Sequence, residues 1–233
     1  MGTLYLVRHG QASFGAADYD NLSSLGMQQA QALGAYFAKK QIHFDGALRG
    51  TLRRHAQTFE GICHGMRGTE AAHATQLTQS VKLWPGLNEY DSEALLHTIH
   101  PEPLSTAQTP ENYRYHFGLL RKALQAWMQG ATQPVGMPNY QEFLYGVTSA
   151  LDYVRAQFAA QPQARVLIVS SGGPISTAVG HILGTSAETT IELNLRIRNA
   201  SVTEFVFTAK RHMLVTYNTL PHLEDKPDWV TFA

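Results

Sequence analysis

Thr3-Leu4-Tyr5-Leu6-Val7-Arg8-His9-Gly10-Gln11 and, far downstream, Arg165-Val166-Leu167-Ile168-Val169-Ser170-Ser171-Gly172-Gly173-Pro174 are the two stretches on which the fold turns. Each is a short apolar run that stops abruptly at polar residues and glycine. A run without polar alternation reads as a strand covered on both faces, the habit of parallel sheets in α/β proteins. The polar residues at both ends then stand at the carboxyl edge of the sheet, where ligands of open α/β sheets collect.

Working outward, the sequence between these runs changes from strand-like to helical period. Met27, Ala30, Leu33 and Phe37 share one helical face. So do Tyr113, Phe117, Leu120, Leu124 and Trp127, and again Leu144, Val147, Leu151, Val154 and Phe158. Each set reads as an amphipathic helix turned toward a core. A further apolar helix should follow Gly172-Gly173-Pro174 to about Leu183, and late strands are expected at 191–195, 202–207 and 213–217. Strands alternating with helices imply an α/β fold, a three-layer α/β/α sandwich with a mostly parallel sheet and helices on both faces. A length of 233 residues suits a single domain over 1–233. The segment 84–112, punctuated by Pro85, Pro101, Pro103 and Pro110, reads as an insertion, within a cap region at about 84–137.

Lys and Arg number 18 and Asp and Glu 18, so the formal charge is zero and no broad field favours nucleic acid or an anionic membrane. Neither partner is expected, and no apolar run approaches the roughly 18 residues of a membrane span. Cys63 is the only cysteine, which excludes an internal disulfide and suits a reducing compartment; it reads as a small buried apolar residue. The opening Met1-Gly2-Thr3-Leu4-Tyr5-Leu6-Val7 is too short and uncharged for a signal peptide, and Leu6 stands where a myristoylation signal wants Ser or Thr. A cytoplasmic protein is expected; the oligomeric state is left open.

The chemistry gathers at the strand ends. Gly10 lets the backbone turn beside a ligand. Arg8 offers a planar fork suited to phosphate oxygens, and its charge favours a neutral His9 imidazole with a nitrogen free to attack. His97 and His100 have i, i+3 spacing but no further ligands nearby, so no metal site is assigned.

Arg8-His9-Gly10-Gln11 resembles the signature of the histidine phosphatase superfamily, which includes the cofactor-dependent phosphoglycerate mutases. The similarity continues in Leu22-Ser23-Ser24-Leu25-Gly26-Met27-Gln28-Gln29-Ala30, in Leu52-Arg53-Arg54-His55-Ala56-Gln57-Thr58, in Leu87-Asn88-Glu89, in Gly172-Gly173, and in Asn218 with His222-Leu223. The resemblance implies a phosphoglycerate mutase-like fold and a reaction without metal or cofactor. It implies that His9 takes the phosphoryl group, that Arg8 and Arg54 clamp its oxygens, and that Glu89 donates the proton, with Asp91 and Glu93 as rivals. Arg53 reads as a solvated helix residue, and His55 as structural because it should face another side of its helix than Arg54.

One departure stands out. The family pattern has a second histidine before its late glycine, and here Ser171 occupies that place. Serine keeps a donating hydroxyl, and Pro174 suits a first helical turn, so Ser171 and the amide of Gly172 are expected to hold phosphate at a helix N-terminus. Reduced activity is expected, and Ser171→His should raise it. The reading is a phosphomonoester hydrolase acting on a small-molecule phosphomonoester or a phosphoprotein. Its alternatives are a catalytically impaired domain that binds phosphorylated ligands, and a mutase-type phosphotransferase. Residues 84–137 carry three basic groups (Arg114, Arg121, Lys122) against five acidic ones (Glu89, Asp91, Glu93, Glu102, Glu111), a balance that suits a monoester better than a bisphosphate.

Overall fold

A computed structural model describes residues 1–13, 20–102, 104 and 109–232 of the chain. Its elements are β1 (Gly2–Arg8), α1 (Ser24–Lys39), β2 (Gly46–Arg49), α2 (Arg53–Ser80), β3 (Lys82–Leu83), α3 (Ser92–His97), α4 (Pro110–Met128), α5 (Tyr140–Phe158), β4 (Arg165–Ser170), α6 (Gly172–Leu183), α7 (Ala187–Arg196), β5 (Val202–Phe207) and β6 (His212–Thr219). Pro103 lies outside the described residues.

The strands form one six-stranded sheet in the order β3-β2-β4-β1-β5-β6. The pairs β3–β2, β2–β4 and β4–β1 are parallel, and β5 runs against both of its neighbours. The two apolar runs are therefore adjacent parallel strands, in register from Thr3 opposite Arg165 to Arg8 opposite Ser170.

Their lack of alternation is explained by what covers them. Leu4, Leu6, Val166 and Ile168 pack into a core with Val147, Leu151 and Val154 of α5 and Ile175 and Val179 of α6. Their neighbours Val7, Leu167 and Val169 pack into a second core with Leu33 and Phe37 of α1 and Phe59, Ile62 and Met66 of α2. Burying such an aliphatic side chain contributes roughly 1.5–3 kcal/mol, and both faces of β1 and β4 collect it. Cys63 is 1 % exposed within the second core, where burial pushes its thiol pKa up. From β1 the chain passes through α1 to β2, beyond β4. From β4 it passes through α6 and α7 to β5, beyond β1. Adjacent strands whose connections leave in opposite directions open a crevice at their carboxyl ends.

Three sequence expectations are corrected. Residues 191–195 belong to helix α7, not to a strand: Ile191-Glu192-Leu193-Asn194-Leu195 alternates in type, but Ser186 caps a helix by accepting from Thr189 N, and Glu188 favours its first turn. The α4 stripe faces a core only in its second half, since Tyr113 and Phe117 are 41 % and 43 % exposed while Leu124 and Trp127 are buried. In α5 the buried set is Phe143, Val147, Ala150, Leu151 and Val154; Leu144 and Phe158 are only half-buried. Among the described residues, no helix is long and apolar enough to cross a membrane.

Candidate active site

The end of β1 is tied down on three sides. Arg8 N donates to Ser201 O, His9 N to Ser170 O, and Ala200 N to His9 O. His9 is buried, and its Nδ1 lies 2.7 Å from Gly10 O. A carbonyl oxygen can only accept, so Nδ1 carries the proton and Nε2 keeps its lone pair. Burial, with the charges of Arg8 and Arg54, holds the His9 pKa well below its ordinary value, so the ring is neutral. Arg8 is also buried and donates from Nη1 to Ile197 O at 2.6 Å. The 196–198 segment that offers this carbonyl is held by Asn218, whose Oδ1 accepts from Arg198 N and whose Nδ2 donates to Arg196 O.

Arg54 enters from the first turn of α2. The N-cap residue Leu52 has no capping side chain, and Asp20 does that work from a distance by accepting from Arg53 N at 2.8 Å. The same carboxylate pairs with Arg54 Nη1 at 2.8 Å. A carboxylate at this helix end complements the dipole and fixes the guanidinium together. Thr58, one turn further on, accepts from Gly10 N and donates to Arg54 O, so the loop after His9 is laced to the helix carrying Arg54.

The end of β4 is organised differently. Ser170 Oγ donates to Leu87 O at 2.6 Å and holds the 87–89 segment against the strand. Asn88 accepts from Thr51 N and donates to Thr51 Oγ1, clamping that segment from the other side. Between these fastenings the Glu89 carboxylate accepts from Gly173 N, 3.1 and 3.2 Å from its two oxygens. Glu89 thus caps α6. A Cβ on residue 173 would lie 2.1 Å from Glu89 Oε1, so only glycine lets the carboxylate sit there. Burial pushes the Glu89 pKa up, against the opposing pull of the Gly173 amide, Arg54 and Arg8, so it holds a proton more readily than an exposed glutamate. Its rivals are employed elsewhere: Asp91 caps α3, and Glu93 is exposed.

Ser171 is fully buried at the N-cap position of α6, yet its hydroxyl makes no capping bond. Its Oγ lies 2.7 Å from His55 Nε2. His55 is likewise fully buried, with its ring centroid 5.9 Å from that of His9. This corrects the expectation that His55 faces away from Arg54's side. Both residues lie in the first turn, at the sheet's carboxyl edge, where either direction can reach the crevice. Arg53 is exposed. Gly172 follows Ser171 in the first turn, and a Cβ placed on it would lie 3.8 Å from Arg8 Nε.

The six residues singled out from the sequence, His9, Glu89, Arg8, Arg54, Ser171 and Gly172, therefore lie together around the carboxyl ends of β1 and β4. The supporting contacts of Asp20 with Arg54, Thr58 with Gly10 and Asn88 with Thr51 were not foreseen, because they span 34, 48 and 37 residues.

The sequence profile of the Histidine phosphatase superfamily (branch 1) matches residues 4–220. The chain belongs to this superfamily. Solved structures agree on the fold. Phosphoserine phosphatase from Entamoeba histolytica, in complex with 3-phosphoglyceric acid, matches 96 % of this chain and 100 % of its own at 19 % identity and a TM-score of 0.64. Phosphoglycerate mutase from Bacillus anthracis matches 95 % of each chain at 19 % identity and 0.64. Mycobacterial glucosyl-3-phosphoglycerate phosphatase matches 94 % of this chain and 99 % of its own at 21 % identity and 0.61. None of the curated protein sequences matches the chain. The histidine phosphatase fold is thus established by sequence profile and structure alike.

Proposed function

We propose that the chain is a phosphomonoester hydrolase that works through a phosphohistidine on His9. One observation carries the reading: the Gly10 carbonyl fixes the proton on His9 Nδ1 and leaves Nε2 as a neutral nucleophile, in a crevice bordered by two arginines and a carboxyl group of raised pKa. In the first step Nε2 attacks phosphorus, the bond from phosphorus to the leaving oxygen breaks, and Glu89 gives that oxygen its proton. In the second step Glu89, now a carboxylate, takes a proton from water, which attacks phosphorus. The phosphorus–nitrogen bond breaks and the electron pair returns to Nε2. Arg8, Arg54 and the amides opening α6 near Ser171 and Gly172 would offset charge on the equatorial oxygens, a task that needs no metal or cofactor.

A half-buried acid with a raised pKa favours turnover over mere binding, since a binder of phosphate needs no proton donor. The substrate class is a phosphomonoester with a neutral or apolar remainder, on a small molecule or a protein, consistent with the acidic balance of 84–137. That segment is proposed as a cap on a single domain over 1–233. The phosphatases among the similar structures act on small phosphorylated compounds by their names, phosphoserine and glucosyl-3-phosphoglycerate.

The test is a rapid quench with a radiolabelled phosphomonoester. The wild-type chain should trap an acid-labile, alkali-stable phosphoryl group. His9→Ala should trap none and retain below about one-thousandth of the turnover, the scale of losing a covalent nucleophile. Turnover above a tenth of wild type would remove His9 from the role.

A further inference from the structure

The serine at 171 stands where the family pattern places a histidine, and a histidine from another element stands beside it. The pairing is local and buried. His55 Nε2 and Ser171 Oγ are 2.7 Å apart, both residues are fully buried, and the His55 ring lies 5.9 Å from the His9 ring. Ser171 is free for this contact because Glu89, not Ser171, caps α6 at Gly173. On its other side His55 abuts backbone: a Cβ on Gly50 would fall 2.1 Å from Nδ1, and among the described residues Nδ1 has no hydrogen-bond partner.

That last fact decides which way the pair is polarised. Burial and the charges of Arg54 and Arg49 push the His55 pKa down to about 3, so the ring carries a single proton. Placed on Nδ1, the proton would be a buried donor without an acceptor, at a cost of about 1–3 kcal/mol. Unpaired buried acceptors are the commoner case. The proton therefore sits on Nε2 and is donated to Ser171 Oγ. The hydroxyl has its own proton left for another acceptor, and the acceptor this crevice is built to receive is a phosphoryl oxygen.

We propose that His55 and Ser171 work as one donor unit, in which His55 is a positioning residue that orients the Ser171 hydroxyl toward the transferring phosphoryl group. The unit replaces the single histidine of the family pattern by two smaller contributions from α2 and the end of β4. This rests on the phosphatase reading, and it reverses the sequence expectation for Ser171→His. An imidazole at 171 would meet the buried His55 ring already there, so the single replacement should lower activity. It should work only once His55 is cut back.

The experiment compares wild type, His55→Ala, Ser171→Ala, the pair H55A/S171A, Ser171→His and the pair H55A/S171H, with p-nitrophenyl phosphate turnover and vanadate affinity as readouts and circular dichroism to confirm folding. Loss of one oriented donor should lower kcat about 100-fold in Ser171→Ala with KM little changed. His55→Ala should match it, and H55A/S171A should lose no more than either, because His55 acts through Ser171. H55A/S171H should recover at least tenfold over Ser171→His. Additive losses in H55A/S171A, or no recovery in H55A/S171H, would overturn the proposal. If wild type proves inactive, the phosphatase reading fails by itself, and vanadate affinity still reads the same two comparisons. Equal affinity in all six proteins would then overturn the donor unit too.

Discussion

The carboxyl ends of β1 and β4 lie side by side in register, yet they are made in different ways. At β1 the orienting contact is one residue away: His9 reaches the carbonyl of Gly10, and the backbone around it is held by neighbouring strands and the turn before β5. At β4 the strand brings only two serines and two glycines. The imidazole and the carboxyl group come from α2 and from the 87–89 segment, held in place by Ser170 and Asn88. One end encodes its chemistry locally and the other borrows it. A borrowed group can change its point of origin without changing the backbone that receives it, which is why Ser171 need not signify a lost function.

Acid should break both ends together, and this is the largest effect. His9 and His55 are neutral when folded and take up protons more readily when unfolded, where the ordinary value is near 6.5. Their contribution is complete above about pH 6.5 and is lost as pH falls below it. For His55, whose folded pKa is about 3, the loss by pH 5 is about 2 kcal/mol, and His9 adds in the same direction. Thermal unfolding followed from pH 7 to pH 5 should show a steadily falling Tm. A flat profile would mean that the two rings are not buried in neutral form.

Glu89→Gln tests the borrowed acid. Alkyl phosphates should lose about 100-fold in kcat/KM, and p-nitrophenyl phosphate less than about fivefold, since a good leaving group needs little proton donation. Because its pKa is raised, wild-type Glu89 keeps its proton further up in pH, and alkyl ester hydrolysis should fall as pH rises through that value. The variant should lack this limb. Equal losses on both substrates would move the proton donor elsewhere.

The smallest effect belongs to the fastening. Asn88→Ala removes the clamp on Thr51 and should cost about 1 kcal/mol of stability, as for a typical hydrogen-bonded pair near the surface. The leaving-group pattern should be that of Glu89→Gln in weaker form, a few-fold on alkyl esters. An unchanged ratio between ester types would show that Ser170 alone holds the segment.

What could be read beforehand follows the same division. β1 and β4 announce themselves because burial on both faces leaves an unbroken apolar run, and their ends place His9, Ser171 and Gly172 without further information. Arg54 and Glu89 were found through motif register. Periodicity correctly marked α4 as a helix but could not say that Tyr113 and Phe117 stay largely exposed. In 191–195 the alternating types mimicked a strand, while the decisive signal was the cap at Ser186. The direction of the His55 side chain was misjudged because adjacent residues on a helix are assumed to diverge, an assumption that weakens in a first turn butted against a sheet edge. The contacts of Asp20 with Arg54, Thr58 with Gly10 and Asn88 with Thr51 act across folded distance, and no neighbour in sequence reveals them.

The chain of bonds from Gly10 N to Thr58 Oγ1 and on to Arg54 O has a kinetic consequence. The Gly10 amide can exchange its hydrogen with solvent only when it parts from Thr58, a residue of α2's own ladder. Protection of that one amide therefore reports how firmly the loop after His9 is held to the helix that carries Arg54.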